Sequence, residues 1–399
     1  MRKANWILLI VFLLAISCQK PENVDSAKNV ASKTEVREDD ALLISSNFSE
    51  LVGISNNSNV ANANARTDAG EKNVKRVKTF RDSQQNALYY VITYDGGGFI
   101  VVSAEKRARP ILAFSNTSEF PLDQELPAGV KEFMRSYAES IQELRSTNAA
   151  PDSNIVAEWK RLENTTEITK LIERSKNAGG RVLDQPVDPG CQDSQILVNL
   201  NTAKWGQAAA WNANMPQQLQ YSCSNMPNGR MFTGCVATAM AEVMNYHKHP
   251  NNFQWANMAP YTQDAAFLMR SAANSVNMMY DCTGSWAFLS SIPSALKNTF
   301  GYSSSATWSN SFNANTLESE ILNFSRPVIL GGVNGGGHAW VCDGYYKYIS
   351  CTSSNVPLFG MNWGWDGDYN GFYVPTAADP RKVGGFYTNL AMVTTIKKP

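Results

Sequence analysis

Histidine is scarce in this chain of 399 residues: there are three, all in its C-terminal half. An active site built on imidazole therefore has few residues to draw on. A charge surplus is missing as well, because 35 basic residues balance 35 acidic ones, which argues against nucleic acid or another polyanion as partner. Long apolar runs are also absent. The run from Trp6 to Ile16 falls short of the roughly 20 residues that a membrane-spanning helix needs. No repeat recurs at solenoid periods, and the Ser/Asn-rich patch 303–315 is the longest biased tract.

Hydrophobic residues make up 43% of the chain and charged ones 18%, a globular balance, and 26 glycines favour a loop-rich, partly β architecture. The length exceeds one ordinary core and implies two domains with processed segments. Met1-Arg2-Lys3 followed by the apolar run reads as an export signal over 1–17. Small residues before Cys18 resemble a bacterial lipobox, with Ala15 in place of the commoner Leu, so Cys18 is the expected lipidation site. A polar tether, 18–40, would follow. The expected location is the outer membrane or cell surface, held by that lipid anchor, with plain secretion as the alternative.

Beyond this lies a strand pattern at 87–94, 99–103 and 111–114, with a Gly96-Gly97-Gly98 turn, which reads as an antiparallel meander. Val130, Phe133, Met134, Tyr137, Ile141 and Leu144 then form one helical stripe. Together they predict a small α+β domain over 41–147. The segment 148–190 is charged and weakly helical, and reads as an exposed, cleavable linker. The remainder, 191–399, is rich in Trp, Tyr, Gly and Asn and holds every histidine.

Within it, Thr233-Gly234-Cys235 opens an apolar helical pattern, with Thr233 as the expected N-cap. Cys235 falls in the first turn, where unpaired N–H groups and the helix dipole favour a thiolate nucleophile. A cysteine nucleophile needs a base. His338 follows a Gly-rich run and opens the strand-like Ala339-Trp340-Val341. Asn362-Trp363-Gly364-Trp365 supplies an amide able to fix the imidazole and an indole able to shield that bond. Cys, His, Asn is the chain order of papain-like enzymes.

The stretches 233–250, 335–345 and 362–365, together with Lys204-Trp205-Gly206-Gln207, resemble the streptopain family of papain-like bacterial cysteine peptidases. The stretches 97–114 and 127–137 are similar to the inhibitory prodomain that such enzymes carry in Bacteroidetes-type bacteria. The resemblance implies an α+β fold: a small α+β prodomain, then a two-lobed papain-like peptidase domain. It also implies Cys235 as nucleophile, His338 as base, Asn362 as orienting residue, Trp363 as shield and Gln207 as oxyanion-hole donor. The activity implied is a cysteine endopeptidase acting through a thioester, made as an autoinhibited zymogen. Protein or peptide substrates and its own prodomain are the expected partners, with no cofactor and no metal. Activation is expected from cleavage between about Lys170 and Cys191, where Lys176 and Arg181 are candidate sites.

Other motifs carry less. His247 and His249 lack further ligands for a metal. Asp366-Gly367-Asp368-Tyr369-Asn370-Gly371 opens like a calcium loop, but Ala377 stands where the closing Glu belongs. The Gly-rich run before His338 lacks the Gly-Lys-Ser/Thr ending of a phosphate loop and reads as a mobile active-site loop. Lys106-Arg107-Ala108-Arg109 reads as a solvated basic turn. Cysteine pairing stays open, with a Cys342–Cys351 bridge as one arrangement. Two competing functions are a catalytically inactive surface-binding protein on the same scaffold and a Cys-His acyltransferase. Asn362 weighs against the second, since transferases of that kind usually employ Asp.

Overall fold

The computed structural model describes residues 34–56, 73–147, 149–177, 194–332, 337–350, 356–375 and 390–399. The expected export segment, Cys18, Arg181, Cys191, Cys351, Ala377 and most of the Gly-rich loop before His338 lie outside the described residues.

The meander forms where its residues are apolar on both faces. Strands β2 (Ala87–Tyr94), β3 (Phe99–Ser103) and β4 (Ile111–Ser115) are buried along their whole length. Gly97, at φ 90°, lets the chain reverse between β2 and β3, and a Cβ there would stand 2.5 Å from the Thr117 carbonyl oxygen. An outer strand, β1 (Val74–Arg81), pairs with β2. Its Lys/Arg-rich sequence, largely exposed, hides it from any hydrophobic scan.

Helices α1 (Glu38–Asn56) and α2 (Val130–Ser146) flank this sheet. The face of α2 that is buried holds Val130, Phe133, Met134, Tyr137 and Ile141, the stripe that the periodicity picks out. Two shorter helices follow, α3 (Ser153–Glu163) and α4 (Thr165–Asn177). The Asp152 carboxylate caps α3 by accepting from the Asn154 amide at 2.8 Å.

The C-terminal half has a helical side and a β side. The helical side is built on α5 (Cys235–His247), α6 (Gln263–Ser275) and α7 (Ile292–Phe300), with a hairpin of β6 (Met279–Asp281) and β7 (Gly284–Trp286). A disulfide, Cys223–Cys282, ties the turn of that hairpin to the loop ahead of α5. The β side comprises β8 (Thr307–Ser309), β9 (Val328–Gly332), β10 (His338–Ile349), β11 (Leu358–Asn362), β12 (Gly371–Tyr373) and β13 (Leu390–Thr394), with helix α8 (Ala314–Leu322) against β10. Strand β5 (Ser194–Asn199) also pairs with β10.

Among the described residues the two regions share one sheet of 11 strands, in the order β1-β2-β3-β4-β12-β11-β10-β9-β13-β8, with β5 branching from β10. The seam is the β4–β12 pair, with Phe114 opposite Phe372 and Ala113 opposite Tyr373. Around it the Val374 amide donates to the Leu112 carbonyl at 2.9 Å and the Tyr369 amide to that of Glu119 at 2.8 Å. The Tyr137 hydroxyl bridges the seam, donating to Val374 O at 2.8 Å. One apolar core runs through both regions, while a second fills the helical side.

Three expectations need correction. The tether was expected to run to residue 40, yet Val36 is fully buried and its amide donates to Ala104 O at 3.1 Å. An apolar residue that can add a backbone bond at the sheet margin is drawn into the core whatever its polar neighbours. The linker was expected to begin at 148, yet Ile155, Trp159, Leu162 and Ile168 are buried. The basic turn is no solvated loop either. Arg107 and Arg109 are buried in ion pairs with Glu105 and Glu158, and Glu105 also meets Arg145. Charges taken out of water need such partners, and the partner of Arg109 comes from the segment expected to be linker.

Candidate active site

Helix α5 begins at Cys235, with Gly234 rather than Thr233 as N-cap. Gly234 has φ 88°, a left-handed conformation that glycine adopts without strain. Thr233 stands one residue earlier, its hydroxyl hydrogen-bonded to that of Thr238 at 2.8 Å. Strand β10 begins at His338, and the Ala339 amide lies beside the Cys235 sulfur. The sequence-predicted nucleophile and base are thus brought to one place, on two separate elements.

Their electrostatics are those of a resting site. Burial pushes the Cys235 thiol up, outweighing the amides of Ala339, Val236 and Cys235 itself, which pull it down. The thiolate expected from the helix dipole is not favoured here. Burial also pushes His338 down to about 4, against a smaller opposing effect of the Trp363 carbonyl. Both shifts favour the neutral forms and oppose a thiolate–imidazolium pair.

The His338 ring is also turned from its expected partners. Its Nε2 is bonded to the Trp363 carbonyl at 2.8 Å, and among the described residues neither Cys235 nor Asn362 hydrogen-bonds it. The ring is stacked between Trp365, at 5.3 Å and 8°, and Trp340, at 6.1 Å and 13°. Asn362 is committed elsewhere: its Nδ2 donates to Thr202 Oγ1 at 3.0 Å and Ala203 O at 2.7 Å. Its Oδ1 accepts from Asn370 Nδ2 at 2.8 Å.

The group that fills the space around His338 is Gly129, at the start of α2. A Cβ on Gly129 would lie 2.6 Å from His338 Cδ2 and 3.1 Å from two carbons of the Trp363 indole. The space left between Ala128, Gly129, Gly337 and His338 is about 10 Å³, room for one water at most. Phe133, one turn on, meets Trp363 edge-on at 5.1 Å and Trp340 at 6.0 Å. Trp363 is therefore fully buried, against the N-terminal region as well as its own hairpin.

Gln207 is buried, and among the described residues its side-chain Nε2 has no hydrogen-bond partner. Its carbonyl accepts from the Thr233 amide at 3.0 Å, which sets it beside the Cys235 turn. A buried donor left unpaired costs about 1–3 kcal/mol unless a later partner arrives. An acyl oxygen over Cys235 would be such a partner.

Sequence reasoning missed several supporting groups. Glu242 is fully buried two turns along α5 from Cys235, and accepts from the Trp205 amide at 3.2 Å. Burial holds its carboxyl well above the ordinary range. Asp343, pushed up to about 6 chiefly by burial, accepts from the Thr202 amide at 2.9 Å. Asp366, singled out as a possible calcium ligand, accepts from the Trp211 indole at 2.6 Å. His247 pairs with the Tyr302 hydroxyl at 3.2 Å, and His249 lies near the Gly301 carbonyl at 3.4 Å. Gly129 has no sequence signal of its own, whereas Trp365 lies inside the Asn-Trp-Gly-Trp run and was open to notice.

A cysteine and a histidine brought together, with an inhibitory region inserted at the histidine, define a cysteine peptidase zymogen. Residues 205–264 and 251–373 match the Peptidase C10 family, and residues 33–141 match the Spi protease inhibitor family. Streptopain of Streptococcus pyogenes serotype M28 is 28% identical over 342 residues, 74% of this chain and 75% of that protein. The thiol protease/hemagglutinin PrtT of Porphyromonas gingivalis is 23% identical over 75% of this chain and 35% of its own length. A fragment of Prevotella intermedia prointerpain A, carrying a cysteine-to-alanine mutation, superposes with a TM-score of 0.50 at 24% identity, covering 81% of this chain and 99% of that one. The chain belongs to the streptopain family, peptidase family C10, and carries an inhibitory prodomain ahead of its peptidase domain.

Proposed function

We propose that Cys235 is the nucleophile of an endopeptidase and His338 its base, with Asn362 orienting the imidazole, Trp363 shielding it and Gln207 donating to the oxyanion. In this mechanism His338 takes the thiol proton and Cys235 attacks the peptide carbonyl. The oxyanion collects hydrogen bonds from Gln207 Nε2 and the Cys235 amide. His338 returns the proton to the leaving amine, and water then hydrolyses the thioester. The observation that carries this reading is the unpaired, buried Gln207 amide beside the Cys235 turn. An inactive binding scaffold would have no use for such a donor.

Latency follows from the same contacts. For catalysis His338 must give up the Trp363 carbonyl and gain the Asn362 Oδ1, which Gly129 and Asn370 now prevent. Cleavage beyond α4, within 178–193, would free the prodomain without cutting its packed helices. On this reading the prodomain extends past 147. We further propose export with lipidation at Cys18. Among the described residues no helix is long and apolar enough to cross a membrane. Palmitate-analogue labelling of the wild type, lost in Cys18→Ser, tests this.

Incubating the purified precursor and following intact mass and internal cleavage of an unstructured protein tests the catalytic reading. Cys235→Ser and His338→Ala should each abolish cleavage, because residues of one catalytic unit fail together. Asn362→Ala should be milder, and Gln207→Ala should lower kcat about 100-fold. Cleavage that survives Cys235→Ser refutes the assignment.

A further inference from the structure

The segment that leads into Gln207 has no regular structure of its own. Residues 201–206 form neither helix nor strand, so the Gln207 amide is aimed only as well as tertiary contacts hold its backbone. An oxyanion donor works when it is fixed before the charge develops. Two carboxyl side chains that the mechanism leaves unused grip this segment from two different elements.

The first is Glu242, on α5 with Cys235. It is fully buried, and its Oε1 accepts from the Trp205 amide at 3.2 Å. Its Oε2 has no hydrogen-bond partner among the described residues. A buried, half-satisfied carboxyl costs stability that an apolar side chain of similar size avoids. What it supplies instead is a link from the helix of the proposed nucleophile to the residue two before Gln207.

The second is Asp366, in the turn between β11 and β12. Its amide donates to the Trp205 carbonyl at 3.0 Å, and its Oδ1 accepts from the Trp211 indole at 2.6 Å. Its carboxylate lies against Gly206, where a Cβ would find no room. Asp366 holds φ 56°, a left-handed conformation that Asp tolerates better than most residues. The peptide 205–206 is therefore held by its amide, its carbonyl and its glycine face. The Thr233 amide completes the hold, donating to Gln207 O at 3.0 Å.

We propose that Glu242 and Asp366 are positioning residues that set the side-chain amide of Gln207 beside the Cys235 turn, one from the nucleophile helix and one from the turn after Asn362. This rests on Gln207 being the oxyanion donor. Neither carboxyl takes part in the proposed chemical steps. Because the oxyanion develops only after substrate is bound, a misplaced donor lowers kcat and leaves KM nearly unchanged. Two residues that act through Gln207 lose their effect once its amide is gone.

A double-mutant cycle on processed enzyme, matured from the full precursor, tests this, with kcat counted per active site by epoxide titration of Cys235. Glu242→Met and Asp366→Ala should each lower kcat about tenfold, with KM within about twofold. Glu242→Gln and Asp366→Asn keep an accepting oxygen and should stay within about threefold of wild type. Added to Gln207→Ala, either Glu242→Met or Asp366→Ala should cost less than about a further twofold. Asp366 is exposed, so its variant carries the test should Glu242→Met fail to fold. Losses that multiply in the double variants, or single variants with wild-type kcat, overturn the positioning role. Gln207→Ala with wild-type kcat would instead overturn the oxyanion reading beneath it.

Discussion

At the scale of single residues, Gly129 lies against His338, the proposed base. Its φ of 82° and its lack of a Cβ let the backbone lie on the imidazole. In Gly129→Ala the new methyl would overlap His338 Cδ2 and the backbone would be strained, so the start of α2 must lift away. The uncleaved precursor should then react with a thiol-directed epoxide about tenfold faster than wild type, as expected for roughly 1.4 kcal/mol of lost docking. Equal labelling rates would show that Gly129 does not hold the latent state. The cysteine and histidine proposed as nucleophile and base could be picked out in the sequence because that chemistry demands particular residue types beside a helix start and a strand start. Gly129 was not legible, since its role lies in how closely its backbone approaches another segment.

At the scale of elements, helix α2 and strand β4 join the prodomain to the peptidase. Phe133 touches Trp340, Trp363 and Tyr373 across the seam, the last at 5.8 Å. Phe133→Ala would remove these contacts and leave a cavity, a loss of about 3–5 kcal/mol for a buried aromatic. The variant should show a lower midpoint of thermal unfolding and faster self-processing, read by scanning calorimetry and gel densitometry. Unaltered processing would mean that the β4–β12 pairing suffices for latency. Strands β2, β3 and β4 and helix α2 were readable because each has one dominant apolar pattern. Strand β1 was not, because its alternating charges face water at a sheet edge. The buried pair Arg109–Glu158 was read as surface charge, since burial of an ion pair depends on what packs over it.

For the whole molecule, latency should depend on pH through His338. Its latent pKa of about 4 lies below the ordinary 6.5, so the separated peptidase binds the extra proton between those values. The prodomain contact is therefore at full strength near neutral pH and weakens as the pH falls toward 4. Asp343, raised to about 6, works in the opposite sense, its contribution being lost as pH rises through 6. It sits against Thr202 inside the peptidase domain, so release of the prodomain leaves it unchanged. A Cys235→Ser precursor cut between 178 and 193 should release more prodomain at pH 5 than at pH 7.5 on gel filtration. Equal release would dismiss His338 as the titrating group.

The sequence by itself determined the reaction class, because a cysteine at a helix start, one well-placed histidine and an Asn-Trp pair leave few other uses for those residue types. It also determined the order of an inhibitory region before a peptidase region. Only the tertiary structure decided that the two share one sheet, that His338 faces the Trp363 carbonyl rather than Asn362, and that burial pushes the thiol up. Each of these depends on close approach between segments far apart in the chain, where burial reverses the pKa that a helix start alone would set.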